Sequence, residues 1–265
     1  KRNETDPQVN PMLQDLPVWL AHFRSQAAHP RQVPAALDDT LTGRERRLIS
    51  GSIALFQLGE SASRVQLRRA VRRHDRMPDS DALVEIFELL IAEAQRHAGL
   101  LGEFMQDHEI PARTGAATDR LFRGLRQLGG LTVHLRMLLV AQIIGVVYYR
   151  ALEGVTDCRR LQILCRALAA DELAHVAFES RLLLTMRAAR AGASRRLAAV
   201  WDQCILTAAS RVVWTTHRRV LKSAGYGPLL FLRDCHSQYA FNLKWPPTPR
   251  PCRRHPDQPL SPHGV

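Results

Sequence analysis

Residues 161–182 read LQILCRALAADELAHVAFESRL. Leu161, Cys165, Leu168, Glu172, His175, Glu179 and Leu182 recur at spacings of four and three, the period of one face of an α-helix. That face should point into a core, yet it carries carboxylates and an imidazole. A buried, unpaired charge is strongly destabilising. These groups must therefore be paired, protonated or bound to a cation. Glu172 and His175 are three residues apart, so both side chains reach the same side and can meet one ion or bridge two.

The same anomaly recurs upstream. Ile49, Ile53, Phe56, Glu60, Ser63 and Leu67 form one stripe, with Glu60 on its apolar side. Leu83, Phe87, Leu90, Ala94, His97 and Leu101 form another, with His97 inward and Glu93 one turn before it. Glu60 and His97 are 37 residues apart, and Gln142 and His175 are 33 apart. The chain thus reads as two similar helix pairs, each placing one inward polar residue before an inward histidine, a degenerate internal repeat.

Working outward, residues 1–40 are irregular, with one short helix near 17–28 that Pro30 and Pro34 end. Thr42 and Glu45 fit a capping box opening a long helix that runs to His74. A second long helix is expected over 81–108, a short one over 118–128, a third long one over 131–152 and a fourth from an Asp157 cap to Ala191. A fifth covers 194–224 and a last short one 229–243. Residues 244–265 hold seven of the fifteen prolines and read as a disordered tail. No alternation of period two competes, so the chain is all-α, and the ordered unit spans 41–243.

The composition agrees. Of 265 residues, 46% are apolar, enough for a sizeable core, and only 6% are aromatic. The net charge of +12 raises nucleic acid or an anionic surface as partners, with Arg68, Arg69, Arg72 and Arg73 as the densest cluster. No basic run is interleaved with aromatics, however, so nucleic acid is disfavoured. Five scattered cysteines without a CxxC pair exclude a disulfide framework or zinc ribbon and point to a reducing, cytoplasmic compartment. The most apolar stretch, 138–149, is too short and too interrupted by Gln142 to span a membrane. No Gly-x-Ser-x-Gly elbow or P-loop supports nucleophilic or phosphate chemistry.

The order Glu60, then Glu93 through His97, then Gln142, then Glu172 through His175 resembles the ferritin-like di-iron carboxylate proteins, a bacterial branch of that superfamily included. The resemblance extends over residues 42–242 and implies an up-down four-helix bundle with added C-terminal helices. It also implies a centre of one or two iron ions, or manganese or zinc, held by Glu60, Glu93, His97, Glu172 and His175. Two positions depart from the family pattern. Ala94 stands where a glutamate is expected three before His97, and Gln142 stands where the third helix should supply one. Glu93 is one candidate replacement, since residues four apart share a face. Gln142 and Tyr149 are expected around the ligands, with Tyr148 as a further candidate.

The set suits one metal better than two. Its first reading is a metal-dependent oxidoreductase acting on a small organic substrate. Its second is a bundle that kept the fold and lost the chemistry, binding no metal and serving as a binding or scaffold protein. A homodimer through exposed helix faces is an expected partner in either case. Iron storage is disfavoured, because ferritin cages use much shorter subunits.

Overall fold

The computed structural model describes residues 11–34, 40–61, 65–73, 80–114, 130–188 and 192–244. All regular structure among them is α-helical. The helices are α1 (Pro11–Ala28), α2 (Gly43–Glu60), α3 (Val65–Arg72), α4 (Ser80–Asp107), α5 (Leu131–Glu153), α6 (Arg159–Ala188), α7 (Gly192–Thr216), α8 (Arg218–Ser223) and α9 (Pro228–Lys244). The short helix expected over 118–128 and the proline-rich residues 245–265 lie outside the described residues.

Thr42 caps α2 as its sequence predicts. Its side chain accepts from the Glu45 backbone N–H, and Glu45 accepts from the Thr42 backbone N–H at 2.9 Å. Glu45 also reaches across the fold, accepting from the Asp157 backbone N–H at 2.7 Å and the Thr156 hydroxyl at 2.9 Å. Burial pushes its carboxyl up, but these hydrogen bonds win and hold it at about 2.

Three expected helix boundaries are revised. The helix opened by Thr42 does not run to His74: it stops at Glu60, where the Ser61 hydroxyl turns back onto the Leu58 carbonyl. The chain resumes as α3, which packs on α4 and α5. The helix expected over 194–224 breaks at His217, whose ring turns inward to Ser52. The first helix begins at Pro11 instead of Pro17. Pro17 cannot donate a backbone hydrogen bond, and the burial of Leu16, Trp19 and Phe23 holds the helix across it.

Four long helices form the centre. Arg46 meets Glu109 and Gln57 meets Ala98, so α2 and α4 are antiparallel. Asp107 meets Arg160 and Glu93 meets His175, so α4 and α6 are antiparallel. Glu153 meets Arg166 and Gln142 meets His175, so α5 and α6 are antiparallel as well. It follows that α4 and α5 run parallel. By length and composition α5 is the one helix among the described residues able to cross a membrane, which revises the reading of 138–149 as too short; most of it is buried inside the bundle. α1 covers α4 and α6, while α7 and α9 pack outside α5.

Two apolar clusters fill the interior. One gathers Trp19, Phe23, Phe87, Leu139, Phe178 and Phe231. The other gathers Ile53, Phe104, Tyr148, Leu152, Leu161 and Val220. Between them on α4 and α6 lie His97, Glu172 and His175.

A separate ionic knot ties the outer helices down. Asp202 of α7 is 2.9 Å from Arg136 Nε of α5, pairs with Arg187 of α6 and accepts from the Tyr239 hydroxyl of α9 at 3.2 Å. All four side chains are buried. Removing the shared carboxylate takes the ion-pair partner from the buried Arg187 guanidinium and one contact from Arg136. Asp202→Ala should therefore cost about 3–5 kcal/mol. That corresponds to a fall in Tm of about 10 °C in a chain of this size, readable by circular dichroism melting.

Candidate metal centre

The centre is built from one helix end and three helix interiors. Glu60 is the last residue of α2, not a mid-helix position as its stripe suggests. A helix C-terminus carries partial negative charge, so a carboxylate there is unfavourable unless a positive group faces it. The Tyr149 hydroxyl of α5 donates to Glu60 Oε1 at 2.9 Å. His97 of α4 and Glu172 and His175 of α6 are all at most 4% exposed.

The two imidazoles are held in mirror fashion. His97 Nε2 bonds Asp171 Oδ2 at 3.1 Å, and its Nδ1 lies 3.4 Å from Glu172 Oε1. His175 Nε2 bonds Glu93 Oε2 at 2.7 Å, and its Nδ1 lies 3.6 Å from Glu172 Oε2. Each outer nitrogen is thus fixed by an acid from the opposite helix, and each inner nitrogen faces the same glutamate. A carboxylate bonded to the outer nitrogen sets the ring's orientation and tautomer. Glu93 does this for His175, Asp171 for His97.

The charges are tightly compensated. Arg96 donates to Asp171 Oδ2 at 2.7 Å and to Glu93 Oε1 at 3.3 Å. Arg31, just after α1, donates to Asp171 Oδ1 at 2.7 Å. Burial pushes His97 down, but its bonds to Asp171 and Glu172 and the charge of Glu60 raise it to about 9. Burial likewise lowers His175, and Glu172 and Glu93 raise it to about 10. Glu172 would be raised by burial, yet the two imidazoles hold it far below the usual carboxylate range. Asp171 is lowered against its burial by His97 and Arg31. Burial, with the charges of Glu60 and Glu172, keeps the Tyr149 phenol protonated.

Two sets of ligand atoms lie within 4.8 Å of one another: Glu60, His97 and Glu172, and Glu93, His97 and Asp171. The second set is already bridged by Arg96, whose guanidinium neutralises both acids. The first set fits a cation. His97 Nδ1 and Glu172 Oε2 are buried, and the imidazole–carboxylate contacts they make are long, 3.4 Å and 3.6 Å, which an ion between them would replace. Atoms about 2.1 Å from a common ion are at most about 4.2 Å apart, so the set needs only a small contraction to close on one.

Compared with family models, curated proteins and solved structures, the chain matches none.

The centre therefore stands on its own geometry. Of the residues the sequence nominated, Glu60, His97 and Glu172 converge. His175 adjoins them on the far oxygen of Glu172, and Tyr149 and Gln142 flank them. Gln142 Nε2 sits 3.5 Å from His175 Nδ1. Tyr148 is not in this shell: its hydroxyl bonds Ser52, which in turn bonds His217. Asp171, Arg96 and Arg31 were missed. A signal for Asp171 existed, since an acid directly precedes each second-position site, Glu93 before Ala94 and Asp171 before Glu172. Arg31 lies 140 positions from its partner and left none.

Ala94 and Gln142 border a cavity of about 10 Å³, measured as the space open to the centre of a water-sized sphere, with Glu172, His175, Leu90 and Leu138 in its wall. That is room for about one water.

These shifts set a pH dependence for the metal-free protein. Both imidazoles have folded-state pKa values above the unfolded value of 6.5. Their contribution to stability is complete below pH 6.5 and is lost as pH rises through about 9 to 10. Melting temperature measured across pH 6 to 10 should fall by several degrees on the alkaline side, and His97→Gln should flatten the fall.

Proposed function

We propose that the chain is a ferritin-like metal protein that holds one divalent cation, iron foremost with manganese or zinc as alternatives, and uses it as an oxidoreductase on a small molecule. The observation that carries the proposal is the convergence of Glu60, His97 and Glu172 from three helices, with their ligand atoms within 4.8 Å of one another. The parallel course of α4 and α5 supports the ferritin-like assignment, because that bundle contains one crossover connection. A hard nitrogen and oxygen donor set suits Fe(II) and Mn(II). Cys158, Cys165, Cys204 and Cys235 are in no disulfide, which suits a reducing, cytoplasmic setting.

One ion fits better than two. Ala94 and Gln142 remove two negative charges that a second cation would need. Iron in this position would supply one-electron chemistry and Lewis acidity toward a small oxidant. The chain supplies the rest. Asp171 and Glu93 orient the imidazoles, the Tyr149 hydroxyl donates a hydrogen bond to the Glu60 carboxylate, and the leucines beside Gln142 keep bulk water out. The narrow cavity leaves room beside the ion for about one water unless the helices move. Nucleic acid is a poor fit as partner, since Arg68 and Arg72 of the basic cluster both pair with Glu88. The burial of α5 favours a bundle that does not span a membrane.

Anaerobic titration of metal-free protein with Fe(II), followed by metal analysis, should find one ion per chain. Glu172→Ala and His97→Ala should each lose it. Two ions per chain, or none, would sink the mononuclear reading.

The second reading, a bundle without redox chemistry, is favoured by the charge count. Glu60, Glu93, Asp171 and Glu172 are balanced by Arg31, Arg96 and the two protonated imidazoles with no ion at all. Thermal melting separates the readings. A cation present at a hundred times its Kd stabilises the folded state by about 2.7 kcal/mol. A rise of several degrees with metal in wild type, absent in His97→Ala, supports the metal protein. Equal melting temperatures with and without metal support the scaffold.

A further inference from the structure

The outer layer of the bundle has a side that its interior does not explain. α7 and α9 lie next to each other on α5 and run antiparallel: Tyr239 meets Asp202 at 3.2 Å, and His236 meets Thr207 at 3.0 Å. The inward face of α7 buries Ala198, Asp202, Leu206 and Ala209. Directly opposite, at helical spacing, stand Leu197, Val200, Trp201, Cys204 and Ala208, all exposed. Leu197 is 72% exposed and Trp201 58%. Phe241 of α9, level with Trp201 along the helix axes, is 57% exposed, and Leu229 projects at the other end of α9. A lone exposed leucine is ordinary, whereas a contiguous apolar patch marks an interaction surface.

The charges on this side have one sign. Arg196 and Arg211 flank the apolar stripe of α7, and Lys244 lies one turn beyond Phe241, all three exposed. Each helix has a single acid. Asp202 is buried, and Asp234 is half-buried and held by Arg233.

We propose that the outward face of α7 and α9 docks on the anionic surface of a lipid bilayer, on which the bundle lies without spanning it. Charge complementarity selects an anionic partner, and the apolar side chains select one with an apolar layer beneath its charges. Trp, Phe and Leu set among Arg and Lys are the composition of an interfacial helix face. These side chains project from the surface instead of lining a groove, so they suit insertion into a fluid layer more than the grip of a partner helix. A second copy of the chain fits this face poorly. Stripe laid on stripe sets Arg196 against Arg196 in parallel and against Arg211 in antiparallel, and like charges oppose such pairing. Nucleic acid would satisfy the cations and leave Leu197, Val200 and Phe241 in water.

The test sediments the full-length protein with vesicles of phosphatidylcholine, alone or mixed with phosphatidylglycerol. Binding is expected with the anionic mixture only, and it should weaken as salt rises. Arg196→Gln should weaken it about fivefold, the share of one basic residue near such a surface. Arg44→Gln with Arg47→Gln, on α2, should weaken it less than that single change. Leu197→Gln with Trp201→Gln should abolish binding. Trp201→Phe should bind as wild type does but lose the emission that acyl-chain-brominated lipid quenches, which keeps the test decisive if the double variant does not fold. No binding, equal binding to neutral vesicles, or equal loss from the α2 variant and Arg196→Gln overturns the proposal. So does wild-type emission that brominated lipid leaves unchanged, or self-association without lipid that the double variant loses. The outcome is the same whether or not the centre holds an ion, so failure here is separate from failure of the iron titration.

Discussion

Glu172 is the residue on which this fold turns. It sits between two apolar clusters, in a position where an isolated carboxylate would be strongly disfavoured. Its two oxygens face the inner nitrogens of two imidazoles from different helices. Each imidazole is held there by an acid on its other nitrogen, and those acids are neutralised by Arg96, with Arg31 adding to it at Asp171. The polar layer is therefore one connected system. Removing any member leaves a partner buried and uncompensated.

This layer also explains the packing around it. Glu93 reaches from α4 to His175 on α6, and Asp171 reaches from α6 to His97 on α4. The crossed contacts lock the register of these two helices to within a turn, since a slip of one residue would turn each acid away from its imidazole. α1 closes the outside of the same layer. Phe23 packs beside the His175 ring at 6.0 Å, and Arg31 follows directly after the helix to meet Asp171. The N-terminal helix is thus part of the centre's wall, although it contributes no candidate ligand.

Two uncharged residues shape one side of the centre. Ala94 and Gln142 lie on neighbouring helices and border the same void. Either change alone would leave an unbalanced site, one with too little charge or one with no room. Together they leave a small void walled by a methyl and a neutral amide, next to the ionised Glu172 and His175. The asymmetry of the centre follows from these two residues.

Helical periodicity made the all-α fold, the long central helices and the inward placement of His97, Glu172 and His175 legible, because a 3.6-residue repeat fixes which residues share a face before any tertiary contact forms. The Thr42–Glu45 capping box was legible for the same local reason. What the local pattern did not contain was where helices stop under tertiary load. The break at His217 goes with its ring turning to a distant partner, Ser52. Nor did it contain contacts between helices. Asp171 sits one residue off the core stripe of α6 and looks like a surface acid until α4 is laid beside it. Arg31 looks like part of an irregular segment until α1 docks. The sequence by itself determined which residues are forced inward and must be compensated. Only the tertiary structure decided who compensates them, because pairing across 75 or 140 positions is set by helix packing and not by spacing along the chain.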